Sequence, residues 1–174
     1  EPAEAHISDF IELIKSDPSI NLGIATDGDA DRFGIVDADG SYIEPNYILA
    51  LLFDYMIRRK GNKGNAARSV ATSHLIDAVA KYHGVEVLET PVGFKYIGEY
   101  ISEDKILIGG EESAGLSICG HVPEKDGILA CLLVAEMVAV EKSTLRELLD
   151  DLYSRVGEIY TKRVNIHIST ELEA

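Results

Sequence analysis

Cysteine, basic side chains and long apolar runs are all scarce in this 174-residue chain, and each scarcity excludes something. Cys119 and Cys131 are its two cysteines. They are too few to make a disulfide framework, and no Cys/His cluster has zinc-ligand spacing, so a reducing, cytoplasmic setting is the expectation. Lysine and arginine number 16 against 30 aspartates and glutamates, a formal charge of −14. That balance speaks against nucleic-acid backbones and anionic membranes as partners, because both reward cations. The longest apolar stretch, Ile128 to Val140, is shorter than the ~20 residues of a membrane span and runs into charges, so it reads as a buried helix. There is no signal peptide, internal repeat or low-complexity segment, and an opening on Glu1 instead of Met is expected of a fragment or processed chain.

What is present is a hydrophobic content of 46%, enough for a sizeable core. Ile7, Phe10, Ile11 and Ile14 recur at helical spacing until Pro18. Residues 22–26 and 33–37 read as short strands. Pro45 opens a second helix that carries Arg58, Arg59 and Lys60 in its last turn and stops at Gly61. Strand 68–72, helix 74–83, strand 85–89, helix 94–102 and strand 105–109 then follow in order. This β-α-β-α-β rhythm predicts an α/β fold with a parallel sheet and helices on both faces. Helices are expected from about 126 and from 145, the latter with Thr144 and Glu147 as a capping box. Val164, Ile166 and Ile168 alternate with polar residues as in an edge strand. The first 40 or so residues make too small a set for a conventional domain and read as the tail of one.

Asp27-Gly28-Asp29-Ala30-Asp31-Arg32 carries the strongest chemical signal. Three carboxylates at alternate positions after an apolar strand repel one another by about 1 kcal/mol per pair even in water. Hard oxygen ligands suit Mg²⁺, Mn²⁺ or Ca²⁺ rather than Zn²⁺, and the Arg32 fork suits a phosphate on the same metal. A second stretch, Gly109-Gly110-Glu111-Glu112-Ser113-Ala114-Gly115, follows a strand, where open α/β sheets bind ligands. Its acceptors and hydroxyl suit vicinal sugar hydroxyls, although a plain connecting loop is equally consistent with this segment alone. In His121-Val122-Pro123-Glu124-Lys125-Asp126-Gly127, Lys125 is either an anion contact, a general acid or solvated surface. Thr90-Pro91-Val92-Gly93-Phe94-Lys95 reads by itself as a strand-to-helix turn.

In combination and in this order the four stretches resemble the α-D-phosphohexomutase family, and within it the phosphoglucomutase branch. Arg68-Ser69-Val70-Ala71-Thr72-Ser73 is similar to a further segment of that branch. The resemblance implies a three-layer α/β/α domain with a mixed, mainly parallel sheet, preceded by part of a second similar domain. Residues 1–43 would be the end of domain 2, residues 44–157 domain 3, and residues 158–174 a linker or strand toward domain 4. It further implies Mg²⁺ as cofactor on Asp27, Asp29 and Asp31, with Arg32 and Lys125 in catalytic roles. Glu111, Ser113, Gly93 and His121 would contact a phosphosugar, glucose 1-phosphate or glucose 6-phosphate. The reaction implied is exchange of phosphate between the hexose 1- and 6-positions through a bisphosphorylated sugar and an enzyme phosphoserine.

That phosphoserine would sit in a Thr-Ala-Ser-His-Asn-Pro type of motif, which this sequence lacks, as it lacks a Ser-Gly-Thr phosphate loop. Ala71-Thr72-Ser73-His74 imitates the first, but has no Asn-Pro, follows the acidic loop instead of preceding it, and is explained by Ser73 capping the next helix. Domains 1 and 4 of a longer parent are therefore the expected partners, and the isolated chain is expected to be inactive. An EF-hand fails because the sixth and twelfth loop positions are Arg32 and Ala38. A haloacid-dehalogenase-like phosphatase does not place Arg directly after a third Asp. Phosphomannomutase or another phosphosugar mutase, and a non-catalytic metal- or sugar-binding module, remain the alternatives.

Overall fold

A computed structural model of the protein describes residues 2–162. The expected strand at 164–168 lies outside the described residues. A 3₁₀ turn (Glu4–His6) leads into α1 (Ser8–Ser16), followed by β1 (Leu22–Thr26), β2 (Phe33–Asp37) and β3 (Tyr42–Ile43). These strands form an antiparallel sheet in the order β1-β2-β3, with Thr26 opposite Phe33, so that the acidic loop closes the tip of a hairpin. One face takes α1 through Ile11, Ile14 and Val36. Phe33, Ile35 and Ile43 enter the main core from the other, as the twofold alternation of strand side chains requires.

The rest is a second sheet between helices: α2 (Pro45–Arg58), β4 (Asn65–Ser69), α3 (Leu75–His83), β5 (Val87–Thr90), α4 (Phe94–Ser102), β6 (Ile106–Gly110), β7 (Leu116–Ile118), α5 (Gly127–Glu141) and α6 (Leu145–Val156). Its order is β5-β4-β6-β7, with β4 parallel to both neighbours and β7 antiparallel to β6. Helix α4 covers one face through Phe94, Ile97 and Ile101, against Ala67 and Ile106. The opposite face meets α2, α3, α5 and α6 in the main core with Ala66 and Ile108. Pairing steps from Asn65–Ile106 to Ala66–Ile108, so β6 carries one extra residue. That bulge is why Ile106 and Ile108, two apart, serve different cores.

Two expectations need correction. The first central strand is Asn65–Ser69, not 68–72. Ala66 and Ala67 let helices approach both faces of a strand flanked by two others, whereas Val70 is exposed within the turn that Thr72 N–H closes on the Ser69 carbonyl. Helix α5 is also not buried all round. Ala130, Cys131, Leu133, Val134 and Met137 face inward, but Ile128, Leu132 and Val140 are exposed, because its described neighbours lie along one side. The Thr144–Glu147 capping box is present in full. Arg58 and Arg59 both reach Glu141, and Lys60 reaches Glu136, so these charges also tie α2 to the end of α5.

Candidate functional site

Between Thr26 and Phe33 the chain turns within six residues. Ala30 N–H donates to the Asp27 carbonyl at 3.1 Å, and Ala30 itself takes a left-handed φ of 58°. This curl brings one carboxylate oxygen from each of Asp27, Asp29 and Asp31 within 4.8 Å of one another. Asp29 is exposed and the other two are half-buried. Asp27 Oδ1 accepts from Arg32 N–H at 3.2 Å. Partial burial pushes the Asp27 carboxyl upward, but backbone N–H groups, that of Arg32 first, together with nearby positive charge outweigh it and hold the group below its ordinary value. Three hard, ionisable oxygens at this spacing fit a divalent cation of the Mg²⁺ or Mn²⁺ kind.

Two cations border the cluster. Lys125 Nζ lies 2.6 Å from Asp31 Oδ2, and Arg32 Nε lies 3.7 Å from Asp31 Oδ1. The Arg32 Nε is buried without a hydrogen-bond partner. Lys125 is therefore not the solvated surface lysine that its place before a helix allows. Helix α5 delivers it: Gly127 N–H donates to the Ala30 carbonyl at 2.9 Å, and a Cβ at Gly127 would run into the Arg32 carbonyl. Only glycine lets the helix start approach the acidic loop this closely.

The carboxyl ends of β4, β5 and β6 supply the second part. Glu111, 7% exposed, follows β6 and accepts from Gly93 N–H through Oε1 at 2.9 Å. Gly93, at φ 128°, is in a conformation that disfavours any side chain. Ser113 is half-buried in a turn closed by Ala114 N–H on the Glu111 carbonyl at 3.1 Å. Glu111, Ser113 and Gly93 thus lie in two adjoining loops. His121 is turned elsewhere: its Nε2 lies 2.8 Å from Asp126 Oδ2, while Asp126 Oδ1 caps α5 by accepting from Leu129 N–H. Burial raises the Asp126 carboxyl, but the Leu129 N–H and His121 outweigh burial and lower it overall. Ser73 Oγ accepts from Leu75 N–H at 3.2 Å, the use at a helix start that its sequence position indicates.

Sequence reasoning missed three supports of this site. Ser69 Oγ donates to Glu112 Oε2 at 3.1 Å and pairs with Thr72 Oγ1 at 2.9 Å, joining the loop after β4 to the loop after β6. Arg68, its side chain 3% exposed, is held by Asp77 at 2.7 Å and Glu89 at 2.9 Å. The third is the Gly127 approach. An arginine inside a predicted strand, and Asp-Gly ahead of an apolar run, were the available signals.

Comparison with known proteins decides the family. The phosphoglucomutase/phosphomannomutase alpha/beta/alpha domain III model matches residues 44–156, and the domain II model of that family matches residues 1–40. The chain belongs to the phosphoglucomutase/phosphomannomutase family. Among this family's members, a phosphoglucomutase/phosphomannomutase of Thermococcus kodakarensis is 34% identical over 163 residues, 94% of this chain and 35% of the relative. A phosphoglucomutase of Komagataeibacter xylinus is 35% identical over 93% of this chain and 31% of its own length. A solved structure provisionally named phosphomannomutase, from Thermus thermophilus, superposes with a TM-score of 0.85 at 36% identity, covering 90% of this chain and 36% of that one. The chain thus spans about a third of the length of the curated relatives it matches.

Proposed function

We propose that this chain supplies the metal-binding and sugar-binding portion of a phosphohexomutase active site. The parent reaction interconverts hexose 1-phosphate and hexose 6-phosphate through a bisphosphorylated sugar and a phosphoserine that lies outside these residues. Residues 1–43 would contribute the end of domain 2, residues 44–157 domain 3, and residues 158–174 the passage toward domain 4. The observation that carries the reading is the gathering of Asp27, Asp29 and Asp31 at a hairpin tip against Lys125, from the same fold unit as the Glu111–Ser113 loop.

Asp27, Asp29 and Asp31 would hold Mg²⁺. Bound there, the ion would offset the negative charge that accumulates on a phosphoryl group in transfer. Arg32 would steady a phosphate, and its buried Nε, without a protein partner, supports an anion as the missing acceptor. Lys125 would contact the reacting phosphate or exchange a proton with a sugar oxygen. Glu111 and Ser113 would grip hexose hydroxyls beside the Gly93 backbone, and His121 would reach the sugar only by leaving Asp126, on which its Nε2 rests at 2.8 Å. Glu111 is pre-set for this by its bond to Gly93 N–H, which fixes one oxygen. Glucose phosphates are the favoured substrates, ahead of mannose or other sugar phosphates, on the Glu111-Glu112-Ser113 pattern.

Titration calorimetry with MnCl₂ tests the reading. The chain should bind Mn²⁺, and a variant with Asp27, Asp29 and Asp31 all changed to Asn should not. Equal binding by the two would reject the site.

A further inference from the structure

The contact between Lys125 and Asp31 raises a question of occupancy. Three carboxylates with oxygens within 4.8 Å of one another need positive charge among them. Lys125 Nζ already supplies some, 2.6 Å from Asp31 Oδ2, with the lysine side chain only 21% exposed. Its stem is held in place: it passes so close over Gly115 that a Cβ there would stand 2.6 Å from Lys125 Cδ. An ammonium is a compact point charge with three donors and no acceptor, so it can neutralise a carboxylate but cannot join a coordination shell. Nor do an ammonium and a divalent cation share one carboxylate without mutual repulsion. Arg32 is a second, more distant cation, with Nε 3.7 Å from Asp31 Oδ1, so Lys125 is the one in direct contact with that carboxylate.

We infer that Lys125 is the resident counter-ion of the acidic loop, and that it and the divalent cation occupy Asp31 as alternatives. Binding of the cation releases the Lys125 ammonium, which then becomes available to an anion at the mouth of the site. The inference rests on the metal-binding reading above and goes beyond it. It makes the lysine's position depend on the metal, and by reciprocity any anion that captures the released ammonium strengthens cation binding.

A purely structural salt bridge and an exchanging counter-ion make opposite predictions. Loss of a structural tie loosens the loop and weakens cation binding, whereas loss of a competitor tightens it. Mn²⁺ titration of the full 174-residue chain, followed by electron paramagnetic resonance of the free ion, should show Lys125→Met binding about fivefold more tightly than the unaltered chain, the scale of a partly exposed ion pair. Lys125→Gln serves as the second variant should Met fail to fold. On the unaltered chain, acetylation of Lys125 by an N-hydroxysuccinimide ester, read by peptide mass spectrometry, should accelerate on adding Mn²⁺. Unchanged or weaker Mn²⁺ affinity in the lysine variants, or acetylation indifferent to Mn²⁺, overturns the exchange and leaves the metal site standing. Equal Mn²⁺ binding after all three aspartates become Asn overturns the metal reading and the exchange together.

Discussion

Asp37 caps a helix that begins 108 positions later in the chain: its Oδ2 accepts from Arg146 N–H at 2.8 Å and its Oδ1 from Leu145 N–H at 3.2 Å. The carboxylate is 2% exposed and ends the strand that leaves the acidic loop. Helix α6 therefore has two anionic supports at its start, Asp37 from the hairpin and the Glu147 capping box of its own segment. With the Gly127–Ala30 bond, this clamps the acidic-loop hairpin to the starts of α5 and α6 at two separate points.

Asp37→Ala should cost about 2–4 kcal/mol, because buried N–H groups of α6 lose a charged acceptor. Asp37→Asn should cost less, since one acceptor oxygen is kept. Urea denaturation with an unchanged slope measures both, and a loss below about 0.5 kcal/mol for the alanine variant would refute the clamp.

Gly127→Ala should push the acidic loop away from α5. A Cβ there meets the Arg32 carbonyl and stands 3.0 Å from the Ala30 carbonyl oxygen, both main-chain atoms that cannot rotate aside. A stability loss of about 1–3 kcal/mol is expected, with weaker Mn²⁺ binding. Gly28→Ala, in the same loop with nothing within 4 Å of its added carbon, is the matched control and should change stability by less than about 0.5 kcal/mol.

Asp54 should govern much of the acid sensitivity. It is 2% exposed and accepts from Arg155 at 2.8 Å, Arg58 at 3.2 Å and His83 at 2.8 Å, tying α2, α3 and α6 together. Burial raises its carboxyl, but the Arg155, His83 and Arg58 contacts outweigh burial and hold it below the ordinary 3.8. A folded value below the unfolded one stabilises the protein above about pH 4, and that contribution disappears as pH falls through the folded value. Asp54→Asn should cost about 3 kcal/mol at pH 7 and flatten the decline of melting temperature below pH 4. An acid limb of unchanged steepness would refute the assignment.

The purified chain should not convert glucose 1-phosphate to glucose 6-phosphate, because neither a phosphoserine motif nor a second phosphate loop occurs in its sequence. A coupled dehydrogenase assay with added Mg²⁺ and glucose 1,6-bisphosphate checks this. Turnover above background would mean that a residue of this chain, Ser73 first, is the nucleophile after all.

Much of the fold is legible in the residue pattern because the signals are local. Helix 94–102 coincides with α4, and Thr144 with Glu147 marks the start of α6, since periodicity and capping act within one or two turns. The central strand was misplaced by three residues because Ala66 and Ala67 carry little hydrophobic signal and owe their burial to the layers on either side. The exposed stripe of α5 was invisible for the converse reason, an apolar run having no record of which neighbours cover it.

By itself the sequence determined which chemistry is available: alternate aspartates that need a cation, a loop of acceptors after a strand, and an acidic surface that repels polyanions. Only the tertiary structure decided which groups meet. Lys125 reaches Asp31 from far along the chain, Glu111 binds Gly93 N–H, and His121 turns to Asp126 and away from the acidic cluster. Such pairings depend on the sheet order and on one close helix approach at Gly127, and these arise from packing of whole layers rather than from any local run of residues.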